Sequence, residues 1–298
     1  MKQKVVLCLD GGAMSGVFGA GVVRKLQDSN IYDQLKAIHA VSAGVFNAAY
    51  FLARQTGNGE ESVYLDYLAK DFVSSKRFFP GLIQQFINRF FCKISPDKIL
   101  NTIDVDYVMK IIEKKIPLKV DFIKKQSIPF YIKLLNIESR ETEYLLAQNH
   151  SIFKLLRASA CMAPYTFASQ KINNKHYLDG TIGESTGLRK LVEKYPESKI
   201  IYISNNKEPK ALPCFIKAFF AGSITSLMYG KDFFRVFINR EKKTKKDLLF
   251  AKSSPNILII RPPENSLAKP RTKNREILQE TYEMGRREGQ KVLDFLKV

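Results

Sequence analysis

Residues 4–30, KVVLCLDGGAMSGVFGAGVVRKLQDSN, and residues 37–55, AIHAVSAGVFNAAYFLARQ, decide the fold. In the first stretch an unbroken apolar run, Val5–Leu9, meets Asp10-Gly11-Gly12, and apolar residues then recur at helical spacing from Val17. The second stretch repeats the order: a short apolar run, a knot of small residues around Ser42, and an apolar helical segment. A run with no polar alternation reads as a strand buried on both faces. Strand, turn and helix in succession, twice over, predict an α/β fold with a mostly parallel sheet covered by helices.

Outward from there the pattern changes and returns. Residues 56–120 carry helical periodicity in ESVYLDYLAKDFVSS (61–75) and DVDYVMKIIEK (104–114), which enclose the aromatic and basic stretch RFFPGLIQQFINRFFCKI (77–94). Strand patterns resume at 130–137 and 142–149, a helix at 151–162, and a strand entering a turn at 175–182. Two more strands, 199–205 and 256–263, bracket a second aromatic and basic insert at about 209–254, and one helix runs through 274–298. No internal repeat or linker tract interrupts the chain, so residues 1–298 are expected to form a single domain with two helical inserts.

At 298 residues and 45% hydrophobic content the chain can bury a proper core. Against 29 acidic residues stand 48 Lys and Arg, a formal net charge of +19. Such a field favours polyanionic partners, nucleic acid or anionic lipid headgroups, and it serves equally as a solubilising surface. No helix-turn-helix, zinc-finger or RNA-recognition signature accompanies it, so nucleic acid is not expected as a partner. Cys8, Cys92, Cys161 and Cys214 lack the spacing of a metal site or disulfide frame, which predicts reduced thiols and no metal. Lys2 and Lys4 flank only VVLCL, too short for a signal peptide, and no stretch has the length of a spanning helix. The expected location is cytoplasmic. Phe78, Phe79, Phe86, Phe90 and Phe91 beside Arg77, Arg89 and Lys93 suit the interface of an anionic bilayer, as does the mixture near 214–246. The same residues also suit two helical cores with a solvated rim.

Ser42 lies between Ala40 and Gly44, small residues of the kind a strained strand-to-helix elbow requires around a nucleophile. Such a run serves helix–sheet packing as well. The turn Gly11–Gly16 presents backbone N–H groups at a helix N-terminus, a place for a phosphate or for a developing oxyanion. It lacks the Lys-Ser/Thr ending of a phosphate loop and a dinucleotide-type glycine spacing in register. A serine nucleophile needs a base, and the three histidines, His39, His150 and His176, leave none after position 176 for a Ser-Asp-His order. Asp179, followed by Gly180 at the end of a strand pattern, offers a carboxylate base instead. His39 and His176 read as core and surface residues.

These blocks together resemble the patatin-like phospholipase family, and in particular its bacterial branch. DGGAMSGVFGAGVV (10–23) is similar to the family's glycine-rich block, AVSAGVFNAAY (40–50) to its serine elbow, LLRASACMAPYTF (155–167) to its R-A-S block, and YLDGTIGES (177–185) to its D-G-G/A motif. The blocks stand in family order, and residues 259–289 also look like that branch. The resemblance implies a three-layer α/β/α sandwich and a serine lipid acyl hydrolase of phospholipase A type, acting without cofactor on membrane ester lipids. It implies Ser42 as nucleophile, Asp179 as base, and N–H groups around Gly11, Gly12 and Ala13 as the oxyanion hole. With a lipid substrate implied, the basic aromatic inserts at 77–94 and 214–246 lead to an expected peripheral association with anionic membrane. The sequence departs from the pattern at Ala13, where a third glycine is usual, at Ser15, where a cation is usual, and at Ala40 and Thr181. Ala13 is expected to hold a negative φ, since a side chain tolerates little else. These departures leave room for a catalytically weak or inactive protein of the same fold that binds anionic lipid.

Overall fold

The structure, a computed structural model, describes residues 4–29, 31–57, 59–91, 99–208 and 213–297, with the side chains of 88–91 and 213–218 outside that description. In chain order the elements are β1 (Val5–Leu9), α1 (Val17–Asp28), β2 (Leu35–Ala40), α2 (Ala43–Leu52), α3 (Ala69–Asp71), α4 (Phe78–Phe91), α5 (Val105–Lys110) and α6 (Val120–Lys125). There follow β3 (Phe130–Asn136), β4 (Thr142–Leu146), α7 (Ile152–Ala160), β5 (Gln170–Ile172), β6 (Lys175–Asp179), α8 (Leu188–Lys194) and β7 (Lys199–Ile203). The chain ends with α9 (Pro213–Tyr229), α10 (Asp232–Lys252), β8 (Ile257–Ile260), α11 (Arg275–Glu288) and α12 (Gln290–Leu296).

The strands form one mixed sheet in the order β5-β6-β3-β2-β1-β7-β8, with β4 also on β3. β3, β2, β1, β7 and β8 run parallel, while β4, β5 and β6 pair antiparallel. Alternate residues of β1 go to opposite layers, as the pleat dictates. Val5, Leu7 and Leu9 join the core that includes residues of α1, α2, α11 and α12, and Val6 and Cys8 join the smaller core with Leu188, Leu191 and Ala251 of α8 and α10. Helices on both faces make a three-layer sandwich. β1 lies where the strand order turns back on itself, between β2 and β7, and in such sheets the crevice at the strands' carboxyl ends is the binding place.

The first half of β3 pairs with β2 (Ala40 opposite Ile132) and its second half with β6 (Leu134 opposite Asp179). β4 spans Tyr131 to Leu135 and overlaps both partners, so it takes the other edge of β3. β2 and β6 therefore share one edge, pointing at each other, and their carboxyl ends meet across Lys133.

The sequence-based element boundaries shift in four places. β2 stops at Ala40 rather than running through Ala43, because Ser42 takes a positive φ that no strand accommodates. The short strand β5, which pairs with β6, has no clear pattern of its own. The terminal helix divides at Gly289 into α11 and α12, and the 61–75 and 104–114 segments each contain a π-helical turn, Val63–Leu68 and Ile111–Lys115. Among the described residues no helix is long and apolar enough to cross a membrane.

Candidate active site

Ser42 stands two residues past the end of β2, at φ +53° and ψ −132°, a strained conformation for a residue with a side chain. Its backbone is tied on every side: Val41 N–H donates to Leu9 O at 3.1 Å, Val45 N–H to Ser42 O at 2.9 Å, and the Ser159 hydroxyl to Ser42 O at 3.4 Å. Position 44 has to be glycine, since a Cβ there would lie 2.6 Å from Leu9 O and 2.7 Å from Asp10 O. The elbow is thus wedged against the end of β1, while the Ser42 side chain stays half-buried.

Asp179, the last residue of β6, is fully buried. Its Oδ1 accepts the Thr181 N–H and the Thr181 hydroxyl, both at 2.9 Å. Oδ2 has no hydrogen-bond partner among the described residues. Burial pushes the carboxyl up to about 6, the nearby Ser42 hydroxyl is the largest influence pulling it back, and the buried Asp10 carboxylate adds to the rise. The Ser42 hydroxyl is thus near enough to influence the Asp179 carboxyl.

The glycine-rich turn closes the third side. A Cβ on Gly11 would lie 2.8 Å from Ser42 Cβ, 3.3 Å from Ser42 Oγ and 3.0 Å from Thr181 Cγ2, so only a bare α-carbon fits between Ser42 and Thr181. The Gly11 N–H, expected to face an oxyanion, instead donates to Asp10 Oδ1 at 2.7 Å. The N–H groups of Gly12 and Ala13 make no hydrogen bond among the described residues. Ala13 also departs from expectation: its φ is +48°, because the chain turns at once into a tight helical turn, Ala13–Gly16, in which Ser15 N–H and the Ser15 hydroxyl both donate to Gly12 O. A side chain in that region costs about 1–2 kcal/mol.

Two asparagines to which the motifs assign no role support this turn, Asn205 outside the quoted blocks and Asn47 within the 40–50 block. Asn205, just past β7, donates to Asp10 O at 2.7 Å and accepts the Gly19 N–H at 2.8 Å, pinning α1 to the strand before the turn. Asn47 on α2 donates to Gly16 O at 2.8 Å and accepts the Tyr64 hydroxyl at 3.0 Å. A buried asparagine at a strand end or mid-helix is the only signal either gives in sequence, and it is a weak one. The histidines lie elsewhere. His39 stacks on Tyr131 at 4.7 Å between ring centroids and is held neutral by burial, its pKa lowered to about 3, and exposed His176 pairs with Glu138 at 2.9 Å. Cys8 and Cys161 are buried free thiols pushed up to about 12 by burial, and the thiols of Cys92 and Cys214 lie outside the described residues.

The fold is similar to that of solved structures. VipD from Legionella pneumophila superposes with a TM-score of 0.51 at 12% identity, over 99% of this chain and 67% of VipD. ExoU, solved in its heterodimeric complex with SpcU from the type III secretion system of Pseudomonas aeruginosa, gives a TM-score of 0.38 at 10% identity, over 100% of this chain and 52% of ExoU. The chain thus spans about two thirds of the one and half of the other. No curated protein matches it. The family model for patatin-like phospholipases matches residues 7–192, which hold the glycine-rich turn, the elbow and the strand that ends in Asp179. With that match over more than half of its length, the chain belongs to the patatin-like phospholipase family.

Proposed function

We propose that the protein is a serine lipid acyl hydrolase of phospholipase A type, working by a Ser42–Asp179 dyad on ester lipids of an anionic membrane, to which it binds peripherally. The observation that carries this reading is the nose-to-nose meeting of β2 and β6, which brings the strand end that holds Asp179, its Oδ2 without a hydrogen-bond partner among the described residues, toward the strained elbow that holds Ser42. Ser42 Oγ attacks the acyl carbonyl as Asp179 Oδ2 takes its proton, and the carbonyl oxygen becomes an oxyanion held by the Gly12 and Ala13 N–H groups. Collapse expels the alcohol, which takes the proton from Asp179, and leaves an acyl-serine. Water, deprotonated by Asp179, then releases the fatty acid and restores Ser42. Gly11 contributes the space for this encounter, its N–H being engaged by Asp10.

The reading covers residues 1–298 as one domain with helical inserts at 56–120 and 209–254. The family match ends at 192, but β7 and β8 continue the same sheet and support this extent. The alternative, a silent lipid-binding protein of the same fold, draws on the engaged Gly11 N–H and the strained Ala13. Fatty-acid release from phosphatidylcholine and phosphatidylserine vesicles separates the two. The dyad reading expects release by the wild-type chain and a fall of at least about a thousandfold in Ser42→Ala and Asp179→Asn. Equal release by all three chains, or none by any, contradicts it.

A further inference from the structure

On α4, Phe79 (71% exposed), Ile83 (59%) and Ile87 (37%) recur every four residues and share one face turned to solvent. The opposite face packs: a Cβ on Gly81 would lie 1.9 Å from Leu100 O and 2.9 Å from the Phe167 ring, and the Phe78 ring is 6.0 Å from Tyr165. A surface helix ordinarily turns its apolar stripe inward. This one shows apolar side chains on both faces.

A chain of contacts runs from the helix, through Tyr165, toward Asp179. Tyr165 N–H donates to Met162 O at 2.8 Å, and Met162 Sδ accepts at 3.3 Å the hydroxyl of Thr181, which also binds Asp179. Beside α4 runs the connection from β8 to α11, residues 261–274. Its Pro270 carbonyl accepts the Met14 N–H of the glycine-rich turn at 3.4 Å. Its Arg271 Nη1 donates to Ser75 Oγ, just before α4, at 3.2 Å, and the guanidinium lies 5.8 Å over the Tyr165 ring. The same connection displays Leu267, 61% exposed, together with exposed Lys269 and Arg271, and Lys76 is exposed at the base of α4. Arg77 is matched by Asp104 at 3.6 Å, but Lys76, Lys269 and Arg271 form no ion pair among the described residues. Arg89, Phe90 and Phe91, which the sequence places in the same stretch, have side chains outside the described residues, as does the whole of Lys93.

We propose that the face formed by α4 and the 261–274 connection docks the protein on a bilayer with anionic headgroups. Phe79, Ile83 and Leu267 enter the acyl boundary while Lys76, Lys269 and Arg271 meet the headgroups. Apolar side chains beside unpaired cations fit that one surface, where each basic group adds attraction to the anionic lipid. The inference rests on the reading of Ser42 and Asp179 as a lipid hydrolase, because a docked bilayer then lies against the mouth its ester must enter.

Flotation of the full-length Ser42→Ala chain with phosphatidylcholine vesicles, with and without phosphatidylserine, tests it without consuming lipid. The parent is expected to float with the anionic vesicles and far less with the neutral ones. Phe79→Asp with Ile83→Asp lowers the bound fraction at least about tenfold, and Lys269→Glu with Arg271→Glu removes most of the anionic preference and of the salt dependence. Phe219→Asp with Phe220→Asp, at exposed positions on α9, leaves binding within about twofold of the parent. Melting curves establish that each variant is folded. Flotation unaffected by both the α4 and the cation substitutions, absence of anionic preference in the parent, or loss of binding through α9 alone overturns the proposal. If the chain docks as expected while the wild type releases no fatty acid, the hydrolase reading fails instead, and fatty-acid release with no vesicle binding through this face fails the docking alone.

Discussion

Asp179 is where burial and chemistry oppose each other. A carboxylate pushed up to about 6 is a better base than an exposed aspartate, but it must lose its proton before it can accept that of Ser42. Ester hydrolysis is therefore expected to rise with pH through about 6 and level off above it, in a pH–rate profile on a soluble ester. Stability runs the other way. Because the folded-state value lies above the unfolded one, the contribution of Asp179 is fully present below about pH 4 and is lost as pH rises through about 6. Asp179→Asn, which the dyad reading expects to be inactive, should be more stable than wild type at pH 8, by on the order of 2–3 kcal/mol, and the gain should vanish near pH 4. A lower melting temperature for the variant at pH 8 contradicts this account of the site. Ala13 offers a second test at this scale. Ala13→Gly relieves a φ of +48°, and chemical denaturation should show about 0.5–1 kcal/mol of added stability after the entropy of glycine is subtracted. Unchanged or reduced stability means that the turn has another reason for its alanine.

Among the elements, what could be read from the sequence and what could not divide along a physical line. β1, α1 and α2 announce themselves because they are buried on nearly every side, so their apolar patterns are long and unbroken. β5 is three residues long and pairs on one edge, which leaves too little pattern to register. That Ser42 and Asp179 belong together came from motif order, whereas the reason they meet, two strands sharing an edge of β3, is a non-local pairing that no window of sequence contains. The second insert is a similar case. Through α10 it grips the segment that follows the base: Arg240 Nη1 donates to Thr181 O at 3.3 Å, and Asp247 Oδ2 accepts the Thr186 hydroxyl at 2.6 Å and the Leu188 N–H at 3.0 Å. On the dyad reading, Arg240 positions the segment that follows Asp179. Arg240→Ala should lower kcat on a soluble ester by about tenfold with KM little changed and shift the acidic limb of the pH profile, and Arg240→Lys should recover part of the loss. A profile that keeps its midpoint with kcat intact removes Arg240 from that role.

For the molecule as a whole, the composition gave a sign without a place. A net charge of +19 points to an anionic partner, yet lysines and arginines lie all along the chain, and only the folded structure shows that exposed Lys269 and Arg271, with no ion pair among the described residues, stand on the same connection as exposed Leu267. The same holds for the core: β7 and β8 of the sheet and α11, which packs along α1, lie beyond the family match, so the glycine-rich turn between β1 and α1 depends on residues far from it in sequence. The central claim remains that Ser42 is an activated nucleophile served by Asp179. Labelling with a fluorophosphonate ester, followed by mass spectrometry of the modified peptide, tests it most directly. The account predicts covalent modification of wild type at Ser42, none in Ser42→Ala, and strongly slowed labelling in Asp179→Asn. A folded wild-type chain that stays unlabelled in the presence of anionic vesicles, or is labelled at a serine other than Ser42, contradicts it.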